Sequence, residues 1–238
     1  MKRVVYTVLL VFVFFTATTH AGIMDNFLKS FGSPAGEGLN NDTVVKGLKE
    51  ALSLGTENAV KNVSQTDGFF GNKVIRILMP DNIRKVANVL SKVGYQKEVD
   101  EFILSMNRAA EKAAPKAASF FVGAIRDMSF EDARGILNGG DTAATKFFKN
   151  KTHDNIYEAF KPIISASMSE VGATRSYKDM MSKYESIPFV DKQSLDLDHY
   201  VTEKSLDGLF YMVGEEEKKI RMDPAARVTD LLKTVFGK

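Results

Sequence analysis

The residues best equipped for chemistry lie near the C-terminus, where arginines and carboxylates share two consecutive predicted helices. Arg221 and Arg227 flank the helix break predicted at Pro224, and Asp207 and Glu216 precede that break. Arginines that face inward are usually matched by carboxylates. These residues therefore predict either a structural ion-pair network, which we favour, or an anion pocket at a helix start.

Arg108 and Glu111 form a second candidate pair, because residues three apart on a helix lie on the same face. Their neighbours are mostly alanines, which allow another helix to approach closely and to bury part of the pair. A structural ion pair is favoured over a catalytic dyad. The candidate ligand-binding residues are Arg221, Arg227, Asp207, Glu216, Arg108 and Glu111.

Histidine chemistry has little material, because only His153 and His199 follow the N-terminal segment. Asp196, Asp198 and Glu203 surround His199, and carboxylate oxygens suit a hard cation. The favoured interpretation is that these acids lie at a helix start, where the helix dipole stabilises negative charge. The region also lacks the central glycine of a calcium-binding loop, so the sequence predicts no metal site and no cofactor.

The run of three glutamates at 215–217 is followed by Lys218, Lys219 and Arg221. At helical spacing Glu215 meets Lys219, and Glu217 meets Arg221. Each such exposed pair contributes about 0.2–0.5 kcal/mol. A charge run of this kind is typical of a solvated, salt-bridged helix face.

Hydrophobic periodicity predicts the helices that carry these residues. Apolar residues three, four and seven apart mark a helix after Asp198 that ends at Asp223, and a second such run makes a C-terminal helix hairpin. The first stripe comprises Leu206, Leu209, Phe210, Val213 and Ile220, and the second comprises Val228, Leu231, Leu232, Val235 and Phe236.

The middle of the chain contains further helix starts and stops. Asp42, Pro80 with Asp81, the capping-box pair Ser129 and Asp132, and Asp141 begin helices, while Gly94, Pro115, Gly139 and Gly172 end or kink them. Asp141 caps only a short turn, and the stripe from Ile156 to Val171 marks a separate helix that is kinked at Pro162. The apolar run at 74–79 suits a short helix or a strand, and we interpret it as helix. With no alternating pattern of useful length, the predicted class is all-α, a bundle of about eight to ten helices.

Aromatic and methionine residues are numerous in this bundle. They fit helical core stripes, and they also suit the walls of a cavity for an acyl chain between helices. The set is Phe69, Phe70, Phe120, Phe121, Phe147, Phe148, Tyr157, Phe160, Met168, Met180 and Met181.

The first 21 residues have the pattern of a cleaved export signal, with a basic start, an apolar stretch and a small-residue site ending at Ala21. We expect a flexible segment at 22–41 and one helical domain at 42–238. Removal of Lys2 and Arg3 leaves 30 basic residues against 30 acidic ones, so a nucleic-acid partner loses its electrostatic support. The chain has no cysteine, which excludes disulfides, thiol catalysis and lipidation of an N-terminal cysteine.

Several blocks of sequence occur together in this chain: residues 107–115, 132–139, 143–145, 200–202, 206–210, 215–217, 220–221, Pro224 and 226–227. These blocks resemble the bacterial family filed as domain of unknown function 4197. The resemblance implies an exported, mostly helical protein of the cell envelope, and it implies no catalytic residues.

Three functions follow from these observations. The favoured hypothesis is a soluble periplasmic protein without enzymatic activity, lipid anchor or membrane span after cleavage. It would bind an apolar or acidic amphiphilic molecule, or another envelope protein, between its helices, with Arg221 and Arg227 as anchors for an acidic head group. The alternatives are a hydrolase-like enzyme that uses an arginine and carboxylate cluster, and a purely structural module.

Overall fold

The fold is described from a computed structural model. It describes residues 41–92, 94–170, 175, 177–179, 181–182, 196–223 and 233. The helices named below lie in one compact unit, Leu39–Lys238. They are α1 (Asn41–Ser64), α2 (Asp81–Lys92), α3 (Gln96–Ala113), α4 (Ala117–Arg126), α5 (Phe130–Leu137), α6 (Ala143–Glu170) and α7 (Leu197–Met222), with a 3₁₀ turn at Ala114–Lys116.

All regular secondary structure in the described part of the chain is helical, as predicted. Seven α-helices are described. The expected eight to ten helices and the C-terminal hairpin are not confirmed, because the second stripe at 228–236 lies outside the described residues. The predicted export signal and nearly all of the predicted flexible segment also lie outside them.

The core forms where α7 packs against α1 and α6, and where α3 packs on α6. The predicted stripe of α7 is buried, with Leu209 0% and Phe210 4% exposed. Phe121, Phe148 and Phe160 are fully buried in the same cluster. Burial of one such side chain contributes about 1.5–3 kcal/mol, so these contacts hold the helices together without disulfides.

Most predicted helix ends are confirmed. Pro115 ends α3 in the 3₁₀ turn, since proline cannot donate the next helical hydrogen bond. Ser129 and Asp132 form a capping box at the start of α5. Gly94 follows α2 with φ +98°, a conformation that favours glycine.

One predicted division of the helices is wrong. The sequence suggested a short turn after Asp141 and a separate helix from Ile156, but both belong to the 28-residue helix α6, which contains Pro162. Burial of Phe148, Thr152, Ile156 and Phe160 on one side continues the stripe across the expected gap. Tertiary burial thus outweighs the weak local signal.

The helix predicted for 74–79 is also wrong. Val74 and Ile75 lie in a turn, in which the Arg76 N–H donates to the Asn72 carbonyl at 2.9 Å, and residues 76–79 have no regular secondary structure. The buried Asn107 side chain accepts a hydrogen bond from the Ile77 N–H and donates one to the Ile77 carbonyl, both at 2.8 Å. Asn107 therefore satisfies the two backbone groups that a neighbouring strand would satisfy in a sheet.

Gly208 allows the chain segment between α1 and α2 to lie against α7. A Cβ atom at this position would lie 2.5 Å from Phe69 Cε1 and 3.2 Å from Ile75 Cβ. Glycine in a helix interior costs roughly 0.5–1 kcal/mol relative to alanine. Here the missing side chain makes room for the fully buried Phe69 ring.

Candidate functional site

Glu217 of α7 caps the start of α6. Its carboxylate accepts hydrogen bonds from the backbone N–H groups of Ala144 and Thr145, both at 2.9 Å, and from the Thr145 hydroxyl at 2.8 Å. These amides belong to the first turn, whose N–H groups lack intrahelical acceptors, and the helix dipole favours a negative charge there. Glu217 thus accepts the bonds that the sequence led us to expect for Asp141.

Arg221 neutralises Glu217. Its Nε and Nη2 atoms donate to Glu217 Oε1 at 3.0 and 2.9 Å, and Nη2 also donates to the Ile136 carbonyl at 2.8 Å. Of the two predicted pairs four residues apart, that of Glu217 with Arg221 is confirmed. That of Glu215 with Lys219 is wrong, since Glu215 pairs with Lys218 and Lys219 pairs with Glu216. The predicted solvated face is also wrong. Glu216 and Glu217 are only 6% and 7% exposed, because α1 and α6 cover this side of α7.

The other C-terminal candidates have different partners. Glu216 lies 2.5 Å from Lys219 Nζ and accepts a 3.4 Å hydrogen bond from Asn58 of α1. Asp207 pairs with Lys204 at 3.0 Å, about 21 Å along the helix from Arg221 at a rise of 1.5 Å per residue.

The predicted C-terminal cluster joined Arg221 and Arg227 with Asp207 or Glu216. In the structure the carboxylate partner of Arg221 is instead Glu217. Asp207 and Glu216 are paired elsewhere among the described residues. Arg227 lies outside them, so ligand anchoring by these arginines stays a prediction.

Glu111 holds a loop to α3 in a similar way. It is 5% exposed, and its Oε1 atom accepts hydrogen bonds from the Phe69 and Phe70 N–H groups at 3.1 and 3.2 Å. Arg108 Nη1 donates to Glu111 Oε2 at 2.6 Å, and Nη2 donates to Asp67 Oδ1 at 2.7 Å. The bond to Glu111 raises the pKa of the Arg108 guanidinium above its ordinary value.

Phe70 lies beside two guanidinium groups. The Cζ atom of Arg76 is 3.9 Å from the centre of its ring, and that of Arg108 is 5.8 Å from it. Such contacts are attractive because the face of an aromatic ring is negative. Arg108 has two carboxylate partners, whereas Arg76 forms no ion pair with a described residue and its buried Nε atom has no acceptor.

The two histidines lie along the junction of α6 and α7. The Tyr157 hydroxyl is 2.8 Å from His199 Nδ1, and His153 Nε2 is 3.7 Å from Glu203. Asp196 is the N-cap of α7, as predicted for an acid at a helix start, and accepts a hydrogen bond from the His199 N–H. Among the described residues no three histidine or carboxylate side chains converge as metal ligands would.

The described surface carries grooves between helices. One of about 300 Å³, here called the α4–α6 groove, has the half-buried rings of Phe120 and Phe147 as its apolar wall and Lys151 at its rim. Another of about 270 Å³ lies between α6 and α7 and includes Lys149 and Lys218. A third, of about 360 Å³, is lined by Val44, Val45, Phe130, Arg134, Leu137 and Asn138.

Sequence reasoning missed the roles of Asp67, Arg76, Asn107 and Glu217. Glu217 looked like part of a charge run, and nothing local indicates that its carboxylate reaches a helix 72 residues earlier in the chain. Asp67 precedes Gly68, a pair typical of turns, and its φ of +65° is uncommon for a residue other than glycine. Among the four missed residues, only Asp67 carried a local signal that could have indicated its position in a turn.

The helices, buried caps and grooves define an all-helical domain held by burial and by side chains that bind distant backbone groups. Its buried glutamates are engaged in ion pairs and hydrogen bonds. The chain belongs to the family described as Protein of unknown function (DUF4197), which matches residues 38–237. No curated protein matches the chain, and no solved structure does.

Within the described residues, every helix is too short or too polar to cross a membrane.

Proposed function

We propose that the chain is an exported, non-catalytic protein of the bacterial envelope that binds an acidic amphiphile in the α4–α6 groove. Export is supported by the signal pattern at residues 1–21. Binding is supported above all by one observation, a groove that combines two half-buried phenylalanine rings with a lysine at its rim.

The groove offers an apolar wall together with open space. Phe120 and Phe147 come from the two phenylalanine-rich helices and pack against the core on their inner sides. Between them a Cβ added at Gly123 would meet no atom within 4 Å. The volume of about 300 Å³ is at the lower end of the range for small-molecule pockets, which suits an alkyl chain.

The charge at the rim favours an acid over a base. Lys151 is exposed and forms no ion pair with a described residue. Asp127, which also lines the groove, is already paired with Arg126 at 2.8 Å. A carboxylate or phosphate head group could therefore pair with Lys151, which has no ion-pair partner among the described residues.

Calorimetric titration of the processed chain with laurate tests the proposal, with uncharged dodecanol as the comparison ligand. Gly123→Trp fills the groove, while Gly135→Trp is the matched control, since that helical glycine also faces open space. If the tryptophan keeps two CH₂ groups of laurate out of the groove, at about 0.8 kcal/mol each, the affinity for laurate falls about tenfold. We expect that loss for Gly123→Trp and none for Gly135→Trp.

The lysine is tested separately. Lys151→Glu should weaken laurate binding and leave dodecanol binding unchanged, whereas Lys149→Glu, on the same helix but lining the α6–α7 groove, should change neither. The proposal is wrong if the unmodified chain binds neither ligand, or if Gly123→Trp binds laurate as tightly as the unmodified chain does.

A further inference from the structure

A second surface, separate from the α4–α6 groove, lies on the segment at 74–78 between α1 and α2. From Val74, in a turn, to Leu78, exposed or partly exposed residues alternate with buried ones. Val74 and Leu78 are 64% and 58% exposed, whereas Ile75 and Ile77 are 7% and 1% exposed. Arg76, between the two exposed residues, is partly exposed. We call Val74, Arg76 and Leu78 the outer strip.

The backbone under the outer strip is fixed on both sides. Asn107 holds the N–H and carbonyl groups of Ile77 from α3, and the Tyr200 hydroxyl of α7 donates to the Leu78 carbonyl at 3.0 Å. A surface held in this way loses little conformational freedom when a partner binds. The outer strip is therefore preorganised although it has no regular secondary structure.

Arg76 supplies the charge of this surface. Its guanidinium lies on the Phe70 ring, 3.9 Å from the ring centre, and no carboxylate of the described residues pairs with it. Arg108, next to the same ring, is neutralised by Asp67 and Glu111. An incoming carboxylate would therefore bind Arg76, because the planar guanidinium group can donate two parallel hydrogen bonds to it.

The outer strip places an arginine between two exposed apolar side chains. Arginine is among the residues enriched at the energetic centres of protein interfaces, where neighbouring contacts exclude water. We infer that the outer strip is a docking surface for an extended segment of another protein, one that places an acidic side chain between two apolar ones. The acid meets Arg76, and the apolar side chains cover Val74 and Leu78.

Selection from a phage library of random seven-residue peptides tests this inference on the processed full chain. On the unmodified protein we expect enrichment of peptides with an apolar–acidic–apolar pattern. On Arg76→Glu, which reverses the charge without touching the core, we expect the central position of the enriched peptides to become basic. This change would show that Arg76 determines which charge is preferred at the central position of the partner.

Fluorescence anisotropy with the best labelled acidic peptide then measures affinity. A charge-assisted hydrogen bond contributes about 1.5–3 kcal/mol, so Arg76→Gln should weaken binding at least about tenfold. Leu78→Ser should weaken it several-fold. Arg134→Gln, a change at another exposed arginine without an ion pair to described residues, should have no effect.

Circular dichroism confirms that each variant folds, and laurate binding should be unchanged in all of them, which keeps this test separate from that of the proposed function. The inference is overturned if no peptide is enriched, or if enriched peptides bind Arg76→Gln and the unmodified chain equally. Binding of the unmodified chain to anionic vesicles that Arg76→Glu abolishes would overturn it by identifying a membrane as the occupant. Self-association of the unmodified chain that Arg76→Glu abolishes would overturn it by identifying a second copy.

Discussion

Glu217 and Glu111 perform the same task in two different parts of the molecule. Each is nearly fully buried, accepts hydrogen bonds from two successive backbone N–H groups of a distant segment, and pairs with an arginine one turn away on its own helix. Glu217 holds the first turn of a helix. Glu111 holds a loop.

The two arginines differ in what surrounds them. Arg221 is 14% exposed and its Nη2 atom donates to the Ile136 carbonyl as well as to Glu217, so the Glu217 cluster is closed. Arg108 is 33% exposed, reaches the exposed Asp67, and shares Phe70 with Arg76, which has no ion-pair partner among the described residues. The comparison teaches that a buried pair of glutamate and arginine can have two roles. Glu217 with Arg221 fixes a closed contact between helices, whereas Glu111 with Arg108 supports an accessible surface.

The largest effect is expected from Glu217→Gln. The change keeps the shape of the side chain but removes the carboxylate charge that pairs with Arg221 and caps α6, and breaking a buried pair in this way costs about 3–5 kcal/mol. Urea denaturation followed by circular dichroism measures the loss. Glu215→Gln removes a half-exposed pair with Lys218 on the same helix and should cost at most about 1 kcal/mol. Equal losses in the two variants would contradict the structural role of Glu217.

Glu111→Gln should cost less, about 2 kcal/mol, because Arg108 keeps Asp67 as a partner and is partly solvated. The same denaturation experiment checks this order. A second change, Asp67→Asn, should add to the loss in the Glu111→Gln background, since Arg108 then has no carboxylate partner among the described residues. If Asp67→Asn has no effect in either background, the ion pair between Arg108 and Asp67 contributes nothing to stability.

The smallest effect concerns a helix start capped by an exposed acid. The backbone N–H of Ser129 donates to Asp132 and, together with the Ser129 hydroxyl, lowers the pKa of the Asp132 carboxyl from its ordinary value of 3.8. A carboxyl with a lowered pKa in the folded state stabilises the protein above about pH 3.8, and this contribution is lost as pH falls through the folded-state pKa.

Asp132→Asn should therefore be less stable than the unmodified chain at neutral pH, and the difference should shrink in acid. Thermal unfolding at a series of pH values measures it. Glu131→Gln, in the first turn of the same helix, is the control and should show a smaller dependence on pH. A difference that stays constant from neutral to acidic pH would contradict the role of the capping box.

The comparison also shows which parts of the structure could be predicted from the sequence. Helix starts and buried stripes depend on residues within one or two turns, so the starts of α1 and α2 and the inward face of α7 were predicted. The pair of Arg108 and Glu111 was predicted for the same reason. The irregular conformation of 74–79 could not be, because its partner is the side chain of Asn107, 30 residues after Ile77.

The candidate surfaces were harder to predict than the helices. The phenylalanine-rich stretches at 120–121 and 147–148 indicated core, the favoured interpretation, and also suited a cavity wall. The structure divides each pair, since Phe121 and Phe148 are fully buried while Phe120 and Phe147 line the α4–α6 groove. That division depends on how α4 and α6 are rotated against each other, which local sequence does not encode.

Side chains of α3 bind backbone N–H groups of the segment between α1 and α2, and this affects how fast those amide protons exchange with heavy water. The amides of Phe69, Phe70 and Ile77 belong to no helix, yet all three donate to side chains of that one helix. Their protons can leave only when the segment lifts away from Asn107 and Glu111. These irregular residues should therefore exchange as slowly as parts of a helix and at a common rate, as one cooperative unit of opening.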